Sequence, residues 1–322
     1  MSVAAVIPCR NAAAYLGEAI ASVRAQTAPV DELIVVDDHS TDGSAQVARA
    51  GGAITLAAPA PGGPSAARNA GWRHARSDLI AFLDADDRWL PHHIATVGGL
   101  LDAHPEAVLA FGGIELFGLT TGRYAQHLPP SDGPVDARIP AALDCIAPQM
   151  AVIVRRSALE AVGGYDETLA CVQDFELFAR LSRQGPFISA QPVTAEYRQH
   201  PSQLTRARHL ELLLESVKVR RMNLDAIRSE VSPDGVAFVE RRVREKWDGL
   251  LRETWRDGNR IAFDAVLAMH AQVSGADALA ARWRRRAAVG WYPWYAALTL
   301  ARALHVRQVW NATTGRMTRS GP

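Results

Sequence analysis

The segment Asp78-Leu-Ile-Ala-Phe-Leu-Asp84-Ala-Asp86-Asp87-Arg-Trp89 decides the fold class of this chain. Its apolar first half predicts a buried strand, and three carboxylates follow where that strand ends. In open α/β sheets this is the edge at which ligands bind. Carboxylates this close repel one another unless a divalent cation such as Mg²⁺ or Mn²⁺ shares them and bridges to phosphates. The segment therefore predicts an α/β sheet with a metal-assisted phosphate site.

Strand and helix patterns alternate through about the first hundred residues. Val3–Ile7 and Leu33–Val36 are short apolar runs, and the amphipathic stretch Ala13–Gln26 lies between them, which is the pattern of a βαβ unit. A second acidic pair, Asp37 and Asp38, follows the second run. Short connections predict a mostly parallel sheet with both faces covered. Both acidic clusters should then lie at one edge of that sheet.

The other elements of the first half are predicted from the same signals. They are a helix through Arg49 capped from Ser40–Gly43, a strand Ala53–Ala57, a loop Pro59–Pro64, a helix capped by Ser65 that reaches Ala75, a helix Pro91–Asp102 and a strand Ala107–Phe111. From Gly112 to Pro148 many glycines and prolines predict loops and short strands that shape a pocket.

Composition and charge limit the possible classes of protein. With 322 residues, 48% hydrophobic and 21% charged, the chain can bury a large core in one large or two medium domains. Through Thr205 there are 14 Lys/Arg and 22 Asp/Glu, a net charge of −8, and from Arg206 onward 21 and 12, a net charge of +9. An acidic part that gathers metal and a basic tail that meets an anionic surface are expected.

The cysteines and the N-terminus indicate a protein made and kept in the cytoplasm. Cys9, Cys145 and Cys171 form no CxxC or Cys/His pattern, so neither a disulfide framework nor a zinc site is expected. The N-terminal residues lack the features of a secretory signal, and no apolar run reaches transmembrane length.

Six short motifs occur in order along the chain. They are Val6-Ile-Pro8-Cys-Arg10-Asn11, Val35-Val-Asp37-Asp38-His-Ser-Thr-Asp42-Gly-Ser44, Ala66-Ala-Arg68-Asn69-Ala-Gly71, Leu83-Asp84-Ala-Asp86-Asp87, Gly163-Gly-Tyr-Asp166-Glu and Gln173-Asp174-Phe-Glu176. In this order and spacing they resemble the motif series of family 2 glycosyltransferases with the GT-A fold, a mixed, mostly parallel sheet flanked by helices. The resemblance covers Ser2 to Thr205.

The resemblance implies a catalytic GT-A domain at residues 1–205, with a nucleotide-binding half at 1–105, an acceptor-binding half at 106–205 and a helical C-terminal extension at 206–322. It implies an inverting transfer of a sugar from a UDP- or dTDP-type donor to an acceptor hydroxyl. Asp37 or Asp38 would accept the imide N–H of the base. The other donor contacts implied by the motifs come from Pro8, Arg10, Asn11 and Arg68.

The acidic motif after the buried strand would hold the metal and the diphosphate. By resemblance, Asp86 is the direct ligand of Mg²⁺ or Mn²⁺, Asp84 contacts the ribose or a metal-bound water, and Asp87 is a further candidate. His200, in Tyr197-Arg198-Gln-His200, resembles a family histidine that helps hold the metal or diphosphate. An ordinary loop pair at Arg198 and His200 remains an alternative.

Asp174 occupies the position of the family's general base, which removes the proton of the acceptor hydroxyl. Gln173 stands where family members commonly carry an acid, which puts any role of a second carboxylate in doubt. The alternative for Asp174 is an acid that complements the dipole of an early helical turn, and the alternative for Asp37-Asp38 is a strand end with a helix cap. The alternative for Gly163-Gly164 is the end of a helix that starts near Ser157.

Three other functions compete with glycosyl transfer. A sugar-phosphate nucleotidyltransferase needs a Gly-rich phosphate loop near the first strand, and a dinucleotide-dependent oxidoreductase needs Gly-x-Gly-x-x-Gly there, but the chain has neither. A non-catalytic nucleotide-sugar-binding protein would be expected to have lost the base or the metal acids. Within glycosyl transfer, a glycan of the cell surface, a lipid-linked acceptor and a soluble small molecule all remain open, as does a homo-oligomer.

The C-terminal third predicts helices from Arg208 to about Ala288. Breaks are expected at Pro233–Gly235, Asp257–Asn259 and Ser274-Gly275, and a stripe at Leu210, Leu213, Leu214 and Val217 should pack on the catalytic domain or a second subunit. Basic residues at Arg282–Arg286 precede Trp291–Tyr295, the apolar run Ala296–Leu304, Arg307 and Trp310. This pattern predicts peripheral attachment to the anionic inner face of a membrane, and it does not resemble a nucleic-acid groove.

Overall fold

The chain forms two compact units in a computed structural model. The first is Met1–Glu240 and the second is Arg241–Pro322. The structure describes residues 1–60, 62–124, 131, 133–201, 203, 208–256, 259–274 and 277–287. The division at residue 205 that the motifs imply stays a prediction. Among the described residues, no helix is both long enough and apolar enough to cross a membrane.

Within the described residues of the first unit, nine strands form one sheet. They are β1 Val3–Cys9, β2 Glu32–Asp37, β3 Ile54–Ala57, β4 Leu79–Phe82, β5 Arg88–Trp89, β6 Leu109–Gly118, β7 Gly122–Arg123, β8 Val152–Arg155 and β9 Phe187–Gln199. The strand order is β3-β2-β1-β4-β8-β6-β9-β5, and β7 pairs with β6. The first four strands in this order are parallel, β8 is antiparallel to both of its neighbours, and β6 is parallel to β9. The predicted mixed α/β class is confirmed.

The central strand β1 brings the two acidic clusters together. It pairs with β2 through Cys9 and Asp37, and with β4 through Val6 and Phe82. All three strands run in the same direction, so the residues after β2 and after β4 emerge on either side of β1 at one edge of the sheet. This part of the sequence-based prediction is confirmed. The four-residue core of β4 is fully buried, as its continuous apolar run predicts.

Among the described residues, helices cover the sheet of the first unit and form the second. They are α1 Ala13–Arg24, α2 Ser44–Ala50, α3 Pro64–His74, α4 Gly99–Ala103, α5 Arg138–Leu143, α6 Arg156–Val162, α7 Gln173–Leu181, α8 His209–Ile227, α9 Pro233–Arg256 and α10 Arg260–Ser274. Residues 278–287 are also helical. Gly163, with φ 79°, ends α6 in the left-handed conformation, as the Gly163-Gly164 pair predicts.

Two predicted helix starts are wrong. α3 begins at Pro64, after Gly63 with φ 108°, because proline already has the φ angle of a first helical turn. Ser65 therefore lies inside the helix instead of capping it. The helix expected from Pro91 begins with a turn and a π-helical segment, Ile94–Gly98, before α4.

The second unit has an aromatic core of its own. Trp255, Phe263 and Trp283 pack ring against ring with centroids 5.5 to 6.0 Å apart, and the Arg286 guanidinium lies over both tryptophans. Trp283 is buried and donates its indole N–H to Asp248. The aromatic and apolar residues from 291 to 310, on which the membrane prediction depends, lie outside the described residues.

Gly71 lets α3 pack closely on the sheet, and this generates a test of the fold. A Cβ atom at Gly71 would lie 2.3 Å from Val6 Cγ1 and 3.2 Å from Val36 Cγ2. Gly71→Ala should therefore lower the free energy of unfolding by about 1–3 kcal/mol through overpacking. Gly99→Ala, where a Cβ meets nothing within 4 Å, should be neutral or stabilising. Urea unfolding of both variants checks this, and equal effects would contradict the packing account.

Candidate active site

Asp38, the residue after β2, has a buried carboxylate that is held by Arg10 and Gly63, and these three residues are called the carboxylate corner below. The residue is only 3% exposed, and its Oδ2 accepts hydrogen bonds from Arg10 Nη1 at 3.3 Å and from the Gly63 backbone N–H at 3.0 Å. Its Oδ1 has no hydrogen-bond partner among the described residues. Gly62, with φ 86°, brings the neighbouring loop so close that a Cβ there would lie 2.1 Å from this oxygen. One acceptor atom of Asp38 is thus held in place without a partner in the part of the chain that the structure describes.

The other residues predicted to contact a nucleotide lie around this corner. Pro8 is half-buried in β1 opposite Val36, and Asp37 accepts the Ser40 backbone N–H at 3.4 Å. Asn11, with φ 50°, donates its backbone N–H to Ser40 Oγ, and its side-chain oxygen accepts the Thr41 backbone N–H at 2.8 Å. The Asn11 side chain therefore joins the loops that follow β1 and β2.

Arg68 forms a buried ion pair with Asp84 beneath the same edge. The residue is 6% exposed, and its Nη2 donates to Asp84 Oδ1 at 2.6 Å. Burial lowers the pKa of Arg68, but the charge and hydrogen bond of Asp84, together with Tyr165 and Asp174, outweigh burial. The pKa is therefore raised, and the guanidinium stays charged. Its Nε and Nη1 have no acceptor among the described residues. The site therefore holds a permanent cation with two further hydrogen-bond donors.

Asp86 and His200 meet across the edge of the sheet. His200 Nε2 lies 2.8 Å from Asp86 Oδ2, and the imidazole ring packs 5.0 Å from the ring of Tyr15. Arg198 reaches the same turn, because its Nε donates to the Asp86 carbonyl oxygen at 2.7 Å. The structure thus brings together the acidic turn after β4 and the histidine that ends the Tyr197–His200 motif.

Asp87 lies below this contact and connects β4 to β9. It is 1% exposed, and its Oδ1 accepts the Arg198 backbone N–H at 2.7 Å. Burial raises the pKa of Asp87 well above its usual range, and the nearby charges of Asp86 and Asp84 raise it further. The hydrogen bond explains how this carboxyl fixes the turn that presents Asp86.

The donor set of this edge fits a divalent cation that is also bound by a substrate. Within the part of the chain that the structure describes, no group of three or more His, Cys, Asp or Glu side chains is arranged to hold a metal ion by itself. Asp86 and His200 provide two adjacent donors, and Asp84 is 30% exposed beside them. Mg²⁺ is commonly bound by one or two carboxylates together with substrate phosphates and waters. The residues present suit that mode of binding and do not form a closed protein cage.

Asp174 lies in the first turn of α7, half-buried and close to Arg68. Burial raises the pKa of its carboxyl group, while the positive charge of Arg68 and a hydrogen bond from the Phe175 backbone N–H oppose the rise. The Cys145 thiol lies 3.4 Å from Asp174 Oδ2. The structure therefore places Asp174 in the same electrostatic neighbourhood as Asp84.

Two residues of this neighbourhood were missed from the sequence. Tyr165 is buried under the Arg68 guanidinium, and its hydroxyl group has no partner among the described residues. Its place in the Gly163-Gly-Tyr-Asp166 motif was the available signal. Cys145 belongs to no motif, and the sequence carries no sign that its thiol faces Asp174.

Asn69 connects the Arg68 motif with the Gly163-Gly164 motif. Its side-chain oxygen accepts the Trp72 indole N–H and the Tyr165 backbone N–H, both at 2.9 Å, and its nitrogen donates to the Tyr165 carbonyl oxygen at 3.0 Å. Gly164, with φ 80°, allows this approach, since a Cβ there would lie 2.5 Å from the Asn69 oxygen. Two motifs that are far apart in sequence are thus one structural unit.

The chain belongs to glycosyltransferase family 2. The family model described as "Glycosyl transferase family 2" matches residues 4–163, and that described as "Glycosyltransferase like family 2" matches residues 136–226, so that together they span 4–226. The motif series predicts this family, and that assignment is confirmed.

Relatives of known name agree with this assignment. The chain is 30% identical over 212 residues to the pre-mycofactocin glycosyltransferase of Mycobacterium tuberculosis, covering 63% of this chain and 43% of that protein. It is 32% identical over 200 residues to the succinoglycan biosynthesis protein ExoU of Rhizobium meliloti, covering 56% of each. The chain thus spans about half the length of these curated relatives.

Solved structures agree in fold. Residues 1–349 of TarS from S. aureus, in complex with UDP-GlcNAc, have a TM-score of 0.68 at 14% identity, covering 94% of this chain and 92% of that one. The mannosyltransferase PcManGT from Pyrobaculum calidifontis, in complex with GDP-Man and Mn²⁺, has a TM-score of 0.56 at 20% identity, covering 96% and 86%. At these identities the likeness concerns the fold, and the predicted GT-A fold is confirmed.

The hydrogen bonds of Asn69 predict a large loss of stability when its side chain is replaced by alanine. Asn69→Ala removes the acceptor of two buried N–H groups, and each unsatisfied group carries a desolvation penalty. We expect the free energy of unfolding to fall by about 2–4 kcal/mol, measured by urea unfolding. Asn223→Ala is the matched control, because Asn223 is also buried but its side-chain nitrogen has no partner among the described residues. A loss at Asn69 no larger than at Asn223 would contradict this account.

Proposed function

We propose that this chain is a metal-dependent, inverting glycosyltransferase that moves a sugar from a UDP- or dTDP-type donor to an acceptor hydroxyl. The observation that carries the proposal is that a buried cation, Arg68, pairs with the acidic turn at Asp84–Asp86 and lies near a half-buried carboxyl, Asp174. Transfer from a diphosphate sugar can use all three groups. The phosphates need positive charge, which Arg68 and a cation bound by the acidic turn would supply, and the acceptor hydroxyl needs a base.

The carboxylate corner at Asp38 supports the choice of nucleotide. Its Oδ1, which has no partner among the residues described, is a buried hydrogen-bond acceptor beside Arg10. An imide N–H of uracil or thymine is a donor that would satisfy it. Adenine and cytosine have no imide N–H. Asp37 is the alternative contact, with Pro8 and Asn11 completing the wall of the proposed base pocket.

Arg68 is proposed to hold the diphosphate from the protein side. Its Nε and Nη1 donors have no acceptor among the described residues, and phosphate oxygens match a guanidinium in charge and geometry. Asp86 and His200 would hold Mg²⁺ or Mn²⁺ on the other side, with Asp84 at the ribose or at a metal-bound water. When bound, the cation supplies Lewis-acid neutralisation of the departing diphosphate. The Mn²⁺ bound to PcManGT with GDP-Man is consistent with this assignment.

Asp174 is proposed to be the general base. Its carboxylate would take the acceptor hydroxyl proton as the oxygen forms a bond to the anomeric carbon and the bond to the diphosphate breaks on the opposite face, which inverts the configuration. Burial raises the pKa of Asp174, which makes it a stronger base than an exposed aspartate. The positive charge of Arg68 and the hydrogen bond from the Phe175 backbone N–H oppose this rise.

The names of two relatives leave two acceptor classes for the test. One is named for succinoglycan biosynthesis and the other for pre-mycofactocin. We propose a role in cell-surface glycan biosynthesis, with a glycan or lipid-linked acceptor, and keep a soluble small-molecule acceptor as the alternative.

The proposed catalytic domain is 1–205, in the cytoplasm, with the extension 206–322 at the inner face of the cell membrane. Failure of the purified protein to bind anionic liposomes at low salt would contradict the proposed attachment to the membrane.

The proposed base can be tested with Asp174→Asn. The amide cannot accept the acceptor proton, so we expect kcat to fall by at least about 100-fold, with the dissociation constant of the donor nearly unchanged. In the unchanged protein, kcat/KM should decline as the pH falls through the raised pKa of Asp174, above the pH at which an exposed aspartate would titrate. Asp136→Asn, at an exposed aspartate paired with Arg138, is the control. Full turnover by Asp174→Asn would rule out this base.

The proposed metal and nucleotide sites can be tested by binding measurements with UDP-, dTDP- and GDP-sugars, with and without Mn²⁺. UDP- or dTDP-sugars should bind best, and their binding should weaken at least about tenfold in Asp86→Ala or excess chelator, because phosphate repulsion is no longer neutralised. Asp102→Ala, at an exposed aspartate near the N-terminus, is the control. Undiminished transfer in excess chelator would contradict metal dependence. A preference for GDP-sugars would contradict the choice of uracil or thymine, since the N1–H of guanine can also donate to Asp38.

A further inference from the structure

Helix α8 holds the chain segment that leads into α7. The Glu215 carboxylate accepts the Ala170 backbone N–H at 2.9 Å and the Cys171 backbone N–H at 2.8 Å. These two residues lie just before the first turn of α7, which carries Asp174. Glu215 of α8 therefore satisfies two successive backbone N–H donors of the loop before α7. The geometry of this loop is thus tied to α8.

A second side chain of α8, Arg220, holds the segment after α5. Its Nε donates to the Leu143 carbonyl oxygen at 2.5 Å, and its Nη2 donates to Asp144 Oδ1 at 2.9 Å. The third nitrogen, Nη1, donates to Ser216 Oγ at 2.9 Å. Arg220 is only 5% exposed, so these contacts are shielded from water, and removing one partner of such a buried pair is strongly unfavourable.

Two series of contacts connect Arg220 with Asp174, one through Asp144 and Cys145 and one through Phe175. Asp144 Oδ1 also accepts the Cys145 backbone N–H at 3.1 Å, and the Cys145 thiol lies 3.4 Å from Asp174 Oδ2. The thiol has one proton and also lies 3.1 Å from the Ala147 carbonyl oxygen, so it can donate to one of the two at a time. On the other side, the Arg220 guanidinium lies 5.2 Å from the centroid of the Phe175 ring.

Phe175 is the residue that follows the proposed base, Asp174, in the sequence. Its backbone N–H donates to Asp174 Oδ1 at 2.8 Å, and its ring is buried in a small apolar cluster with Leu169, Val172 and Val219 of α8. The two oxygens of Asp174 are therefore positioned by Phe175 and by Cys145. Arg220 contacts the Phe175 ring directly and reaches Cys145 through Asp144.

We propose that Arg220 is a positioning residue for Asp174, and that α8 is part of the machinery that activates the acceptor. The inference rests on the proposed role of Asp174 as the base. The residues assigned to the donor, Asp38, Arg68 and Asp86, lie after β2, in α3 and after β4, and α8 makes none of the hydrogen bonds described above for them. A shift in α8 should therefore move the base while leaving the donor site intact.

The expected result is a separation of turnover from donor binding. Displacement of a reacting group by about 1 Å can cost about 100-fold in rate. Arg220→Met, which keeps an unbranched side chain but no charge or donor, should lower kcat by about 10- to 100-fold with the donor dissociation constant unchanged. Arg221→Met is the matched control on the same helix, since Arg221 is more exposed and pairs with Asp225 one turn away. It should have the kcat of the unchanged protein.

A double-mutant cycle separates positioning from a general loss of stability. Cys145→Ala removes the thiol contact and should itself lower kcat, while Cys145→Ser keeps a donor and should restore most of it. Because one of the two routes from Arg220 to Asp174 runs through Cys145, Arg220→Met and Cys145→Ala combined should lower kcat by less than the product of their separate effects. If Arg220→Met does not fold, Asp144→Asn and Cys145→Ala make the same comparison, with thermal unfolding recorded for each.

The outcomes distinguish this inference from the proposed function. Unchanged kcat in a folded Arg220→Met, together with an inactive Asp174→Asn, would overturn the positioning role and leave the base in place. Parallel losses of kcat and donor affinity would also overturn it, because they indicate a general structural effect. Full activity in Asp174→Asn would instead contradict the proposed function on which the inference rests.

Discussion

The buried ion pair between Arg68 and Asp84 is the interaction on which the rest of the site depends. Carboxylates at Asp84, Asp86 and Asp87 follow one strand, and Asp174 approaches from α7, so the edge of the sheet concentrates negative charge in a partly dry environment. A buried charge without a counter-charge is strongly unfavourable. Arg68, at 2.6 Å from Asp84 and close enough to Asp174 to affect its pKa, compensates this charge. The same guanidinium keeps two donors that have no acceptor among the described residues.

The groups around this ion pair are held by backbone contacts more than by one another. Asp87 accepts a backbone N–H of Arg198, Asn69 binds both backbone polar groups of Tyr165, and Gly62 and Gly164 let neighbouring loops approach without a side chain. Such contacts fix the side chains relative to strands and helices, which is what a preorganised site requires. α8 extends the arrangement beyond the family's motif series, because Glu215 and Arg220 hold the two segments next to Asp174.

Particular residues show how far sequence reasoning reaches. The continuous apolar run before Asp84 predicts β4, and the βαβ pattern before Asp37 predicts that both acidic clusters share an edge; both predictions are confirmed. Ser65 was a wrong cap, because local capping preference was outweighed by the proline at position 64. Cys145, Tyr165 and Arg220 were not found, because their importance comes from contacts between residues 29, 97 and 77 positions apart in the chain. No local period or motif spacing records such contacts.

The sequence by itself determined the alternation of elements, the family and the kinds of group at the sheet edge, because these depend on local periodicity and on short motifs. Only the tertiary structure decided which groups meet. It pairs Asp86 with His200, 114 residues away, leaves one oxygen of Asp38 without a partner among the described residues, and places the Cys145 thiol against Asp174. The physical reason is that burial and long-range hydrogen bonding, which set the charge and position of each group, exist only once distant segments pack together.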